Sequence, residues 1–288
     1  MLHLTNGDSA VPELRAAGID DEILPWREVL HDGPVPGGLG VDELRAVRAT
    51  FLGDQDGTLA RRDERLAAAI AAREPIVLWF EADLYDLLLV IQILERLPPE
   101  APARMVLVGQ DEWRSVAEMD PSELRALGQD APSVSREQRE LTATAWGAFT
   151  ADTPLGLQRF AEGTPALPAV GIALHRLLEE LPWVGSGLSR TERQLLEAFA
   201  AGARTRGEAF VTAAGHEERP FLSDTVAWAT LDRLAPLFDS ESVNERGRAV
   251  LEGREEWEPQ AERWLGGTRL SPGRSPWHWD PEARRVTR

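Results

Sequence analysis

The run Pro75-Ile-Val-Leu-Trp-Phe80 is apolar without interruption, and after Glu81-Ala-Asp83 comes Leu84–Leu97, a stretch apolar on almost every side. A strand with no polar alternation is buried on both faces, as inner strands of parallel sheets are. A helix with no polar face lies deep in a core, and Asp83 stands where its N-cap belongs. Two such segments in succession demand layers of helix on sheet. The rest of the first half agrees. Strand-like segments at residues 1–5, Glu22–Trp26 and Arg104–Val108 alternate with helical ones. The first helix is expected at Val11–Ala17 with Ser9 as its cap, and two more follow from the helical spacing of Val41, Leu44, Val47 and Phe51 and of Leu59, Leu66 and Ile70. This order predicts an α/β fold, a Rossmann-like doubly wound parallel sheet, over residues 1–120.

From about residue 121 the pattern turns helical. Ser135-Arg-Glu-Gln138, Ser189-Arg-Thr-Glu192 and Thr205-Arg-Gly-Glu208 match the capping box. Residues 121–150 are expected to form a helical connector, and 151–288 a mainly helical, winged-helix-like second domain. That last expectation rests on three short helices, the third at Ser223–Leu234, followed by strand-like pieces near Leu237–Phe238 and Ala249–Leu251. In the tail, Trp277 and Trp279 alternate about His278, so both share one face of a strand, and Ser271-Pro-Gly-Arg274 is expected to turn a terminal hairpin.

Composition narrows the function. There is no cysteine, hence no disulfide, thiolate nucleophile or zinc–thiolate site, and no lysine, so Schiff-base chemistry and the Walker A lysine are excluded. No apolar run approaches a membrane span, no basic and apolar leader opens the chain, and cytoplasmic residence is the expectation. The net charge is −17. Most of it lies in the first 150 residues, where 14 arginines face 27 acids, so nucleic acid is disfavoured there. The segment Ser223–Leu234 carries Asp224 and Asp232, a poor set for reading bases. A protein partner or a homodimer through the second domain is therefore expected ahead of DNA.

Ligands of open α/β sheets bind outside the carboxyl ends of the strands. The ends of the first three strands carry Asn6, Gly7, Asp8 and Ser9, then Arg27, His31 and Asp32, then Glu81 and Asp83. Each residue alone has an ordinary structural reading as a turn former, cap or surface charge. Together they predict a site for a small anionic or nucleotide-like ligand, with Asn6, Gly7, Arg27, Asp32, Glu81 and Asp83 binding and Asp8, Ser9 and His31 catalytic. Two chemistries fit. The carboxylates of Asp8, Asp32, Glu81 and Asp83 would suit magnesium and metal-assisted phosphoester chemistry. Alternatively, His31 would serve as general base for Ser9 or a water. A different class of function is a ligand-sensing regulator that acts through the second domain. His3, inside the first strand, is expected to be a packed histidine.

The segments Thr5-Asn-Gly-Asp-Ser9, Trp26-Arg-Glu-Val-Leu-His-Asp-Gly-Pro34 and Leu78-Trp-Phe-Glu-Ala-Asp-Leu-Tyr-Asp86 resemble the bacterial domain-of-unknown-function family 1835. Arg246-Gly-Arg-Ala-Val-Leu-Glu-Gly253 and Arg263-Trp-Leu-Gly-Gly267 through Trp277-His-Trp-Asp280 are similar to the C-terminal part found in the same proteins. The resemblance covers most of the chain and implies the two-part layout, with no activity attached. One departure is Ala82, where the family often carries histidine, which removes a metal-binding histidine from that position.

Overall fold

The computed structural model describes residues 1–161, 163–240, 242–259 and 261–288. Strands β1 (Leu2–Thr5), β2 (Glu22–Pro25), β3 (Ile76–Glu81) and β4 (Ala103–Val108) form one all-parallel sheet in the order β2-β1-β3-β4. The chain builds outward from β1 to β2, then crosses back to place β3 on the other side. The carboxyl ends of β1 and β3 therefore part company, and the crevice between them is where the fold offers a site.

The sheet is covered on both faces. Helices α1 (Ala10–Ala16), α2 (Val41–Leu52), α3 (Thr58–Ala71), α4 (Leu84–Arg96), α5 (Pro121–Gln129) and α6 (Arg136–Phe149) complete the first half. Successive side chains of β3 point to opposite faces and split between two cores. Val77 and Trp79 pack with Leu14 of α1 and Leu124 of α5. Ile76, Leu78 and Phe80 pack with Leu87 and Ile91 of α4. Ten residues of α4 are buried, as its apolar circumference requires. Truncating Leu88 or Ile91 to alanine there would cost about 2–5 kcal/mol. His3 is packed as expected, its Nδ1 accepting from Trp79 Nε1 at 2.9 Å.

The second half contains α7 (Leu155–Ala161), α8 (Pro168–Leu178), α9 (Arg190–Ala200), α10 (Arg206–Ala214) and α11 (Asp224–Arg233). A two-residue-per-strand hairpin of β5 (Phe238–Asp239) and β6 (Ser242–Val243) leads to α12 (Glu245–Leu251). Two more hairpins, β7 (Arg263–Leu265) with β8 (Thr268–Leu270) and β9 (His278–Asp280) with β10 (Arg285–Thr287), complete it. The packing does not change hands at residue 151. The main cluster runs from Leu2 and Leu87 through Leu157, Leu174 and Leu181 to Leu270 and Trp279, so α7, α8 and the last hairpins belong to the layer on the sheet. Among the described residues, the second half has cores of its own only between Leu188 and Trp257. Trp257, Trp277 and Trp279 are all buried.

Three local expectations are corrected. Ala249–Leu251 is the end of helix α12, because Asn244 caps that helix by accepting from the Gly247 amide at 2.8 Å. Ser271–Arg274 links β8 to β9, while the tight hairpin turns lie at Gly266-Gly267 and between β9 and β10. Ser9 has helical backbone angles and its hydroxyl caps nothing. Among the described residues no helix is long and apolar enough to cross a membrane.

Candidate functional site

At the parting of β1 and β3, three carboxyl groups leave water. Asp86, in the first turn of α4, accepts from Asn6 Nδ2 at 2.9 Å and from the Glu81 amide at 2.6 Å. Asp83 caps α4 by accepting from the Asp86 amide at 2.9 Å. Glu81 turns away and accepts from the Val116 amide at 2.7 Å and Ser115 Oγ at 3.0 Å. Burial favours the neutral form of a carboxyl, and neighbouring carboxylates add to the effect. Burial pushes Asp83 up to about 7, with the Glu81 carboxylate adding to it, and holds Asp86 well above the usual carboxylate range, with Asp83 adding to that. Glu81 is raised as well, again by burial.

The loop after β2 is fixed by a buried ion pair. Glu28 Oε1 accepts from Arg48 Nη2 at 2.9 Å and Nε at 3.1 Å. The same guanidinium donates to the carbonyls of Val29, Asp32 and Pro34. One α2 side chain thus shapes the whole turn that carries His31 and Asp32. Asp32 Oδ1 accepts from the Gly33 amide at 2.9 Å. Gly33 has φ +76°, and a Cβ there would lie 2.5 Å from the Phe51 ring, so only glycine lets Phe51 close over the turn. His31 sits edge-on between Tyr85 and Phe221, with ring centroids 5.5 and 5.3 Å away. Neither of its ring nitrogens has a hydrogen-bond partner, and burial lowers its pKa to about 4.

The connection from α10 to α11 crosses the carboxyl edge of the sheet as a strap. Arg219 anchors it by donating to the carbonyls of Ala82 and Gly109 at 2.7 Å and of Gln110 at 2.8 Å. Glu217 is held by Arg176, whose guanidinium also lies over the Phe221 ring at 4.9 Å. Beneath the strap on its β1–β2 side is a cleft of about 710 Å³. Asn6, Gly7, Ser9, Asp32 and Asp83 line its floor. Phe51, Tyr85, Phe210 and Phe221 supply aromatic walls, with α11 contributing Thr225, Val226 and Ala229. Asp32 and Asp83 are the only charged side chains on this lining among the described residues.

Five of the nine expected residues therefore meet in one cleft, and four do not. Asp8 is turned outward into an exposed ion pair with Arg27, 2.6 Å from Oδ1 to Nη2, which takes both away from the cleft. Glu81 is committed to Ser115 and Val116, and His31 stands behind the wall formed by Tyr85 and Phe221. Its unpartnered nitrogens touch neither Ser9 nor a carboxylate, so the nucleophile–base pair is not assembled. Nor do Asp8, Asp32, Glu81 and Asp83 gather as a ligand set for magnesium, since they turn to Arg27, the Gly33 amide, Ser115 with the Val116 amide, and the Asp86 amide respectively. Among the described residues no three histidine, aspartate or glutamate side chains gather as a metal needs.

The aromatic walls and Asp86 were absent from the expected set. Tyr85, the single tyrosine of the chain, directly follows the helix start and carried a signal that could be read. Phe210 and Phe221 carried none, because only the strap brings them to the sheet. No protein-family model, curated protein or solved structure matches the chain, so the resemblance to family 1835 rests on the quoted motifs alone.

Proposed function

We propose that this doubly wound, Rossmann-like sheet binds a small, ring-bearing organic molecule that is uncharged or cationic, in the cleft beneath the strap. One observation carries the reading: four walls are aromatic rings and every charged side chain on the lining is a carboxylate. Aromatic faces attract cations and stack on rings, and Asp32 and Asp83 would complete the site for an amine. A phosphate would meet no arginine there, and Arg27, the expected anion ligand, is spent on Asp8. Of the expected anionic or nucleotide-like ligand, the ring is thus kept and the phosphate dropped.

The test is a thermal-shift series with tryptamine, adenosine and adenosine monophosphate on the full chain, since a bound ligand stabilises by mass action. Tryptamine and adenosine are expected to raise the melting temperature, and the monophosphate to do so less than adenosine. Because Asp83 titrates at about 7, amine binding should strengthen as pH rises through that value. A monophosphate that stabilises more than adenosine overturns the reading.

A ligand-sensing regulator is the second reading, and one observation favours it. α11 lines the cleft, so an occupant would touch directly the third of the helices expected to form a winged-helix-like group. The outward face of α11 carries Asp224 and Asp232, the latter paired with Arg206, which directs the output to a protein surface rather than to DNA.

A further inference from the structure

The strap has a second cavity on its other side, of about 660 Å³, enclosed by α7, α8 and the turn between β9 and β10. Its chemistry is the reverse of the cleft's. Arg176, Arg190, Arg219 and Arg284 line it, together with the carboxylates Glu179, Glu217 and Glu218. Arg176 is consumed by Glu180 and Glu217, and Arg190 by Glu179. Arg219 bonds only to backbone carbonyls, and Arg284 only to His175, Nη2 to Nε2 at 3.3 Å. Neither has a carboxylate within ion-pair distance among the described residues, and Glu218 is the one acid of the lining that lacks an arginine. Counted with Glu180, which also faces Arg176, the described charges balance, and what the pairing leaves open is the two guanidinium groups of Arg219 and Arg284.

The donors also remain available. A guanidinium has five N–H groups; Arg219 uses three and Arg284 one. Arg284, in the cavity lining, occupies the left-handed region at φ 50°, which a non-glycine residue adopts at a cost. The same lining has an apolar part, made by Leu84, Phe160, Pro165, Pro168 and Ile172. Ile172 is 46% exposed on a mostly buried helix, so this part of the lining lacks a covering partner.

We propose that this cavity is a binding site for a small organic carboxylate, its acid group on Arg219 and Arg284 and its hydrocarbon body against Phe160 and Ile172. The site stands apart from the cleft and does not depend on what the cleft binds. A bidentate arginine–carboxylate pair is the strongest of ordinary polar contacts, and a body lying on an apolar wall distinguishes such an acid from a bare anion.

Isothermal titration of the full chain with hexanoate and phenylacetate tests this, against hexanamide, phenylacetamide and inorganic phosphate. At least one acid is expected to bind about tenfold or more tightly than its amide, the worth of a charge-assisted bond, and more tightly than phosphate. Arg284→Gly suits the left-handed backbone and so should fold at least as well while weakening the acid by a similar factor. Ile172→Glu, on an exposed position, should abolish acid binding by repulsion. Equal binding of acid and amide, phosphate binding as tight as the acids, an unaffected Arg284→Gly, or no binding by either acid would each overturn the assignment.

Discussion

Asn6 Nδ2 donates to Asp86 Oδ1 at 2.9 Å, joining residues 80 positions apart across the gap between β1 and β3. The bond stitches the turn after β1 to the first turn of α4. Asn6→Ala would leave a wholly buried carboxyl oxygen without its side-chain donor, at a cost of about 1–3 kcal/mol. Asp86→Asn in the same background should recover part of the loss, because an amide is cheaper to bury than a carboxylate. Chemical denaturation of these two and of Asp86→Asn alone measures both effects, and additive losses would show that the two residues act separately.

Asp83 and His31 pull the pH dependence of stability in opposite directions. Folding lifts Asp83 to about 7, so the folded chain holds more protons than the unfolded one between pH ~4 and 7, and its contribution is lost as pH rises through that window. Folding lowers His31 to about 4, so its contribution is lost as pH falls from ~6.5 to 4. Asp83→Asn keeps the cap and should make the melting temperature climb more steeply with pH than in the parent. His31→Phe should make it climb less steeply. Parallel curves for all three proteins would remove both groups from the titration.

Arg48 and Glu28 are each 1% exposed, and their pair costs far more to break than to omit. Arg48→Ala leaves the buried Glu28 with only the more distant Arg62, 3.8 Å away, and frees three carbonyls of the 28–34 turn, for an expected loss of about 3 kcal/mol. Lysine cannot reproduce the forked contact, so Arg48→Lys should recover little. Hydrogen exchange would show the loss as faster amides in residues 29–35. Full stability in Arg48→Lys would mean that the charge alone holds the turn.

Gly267 and Gly147 make a matched pair of substitutions. A Cβ on Gly267 would lie 1.8 Å from the Thr150 carbonyl oxygen, a backbone atom that cannot step aside, whereas one on Gly147 meets nothing within 4 Å. Gly267→Ala should destabilise by about 1–3 kcal/mol or more, and Gly147→Ala, inside α6, should stabilise by up to about 1 kcal/mol. Thermal melts of the two give the sign directly.

The sheet was legible because its evidence is local. The apolar run of β3 and the polar-free circumference of α4 state their burial without reference to the rest of the chain. The alternation of Trp277 and Trp279 does the same for β9. Ala249–Leu251 misled because a short apolar run fits a strand or a helix equally, and the decisive sign was the cap at Asn244, five residues earlier. The site was legible by half. Strand ends could be paired on paper by the rule for parallel sheets, which placed Asn6, Asp32 and Asp83 together. What turned Asp8 outward was one ion pair with Arg27, and what roofed the cleft was a strap more than a hundred residues distant. Neither has a periodic signature.

The cluster that holds Leu2 also holds Trp279. A chain emerging from the ribosome carries its first strand into solution long before the tryptophan that completes its core has been made. Strands β1 to β4 must therefore wait half-covered, with apolar surface open to neighbouring nascent chains, until the last hairpins arrive. This cluster cannot close before the hairpins of residues 263–287 have been made, and a pause ahead of them in translation would lengthen its exposure to aggregation and to chaperones.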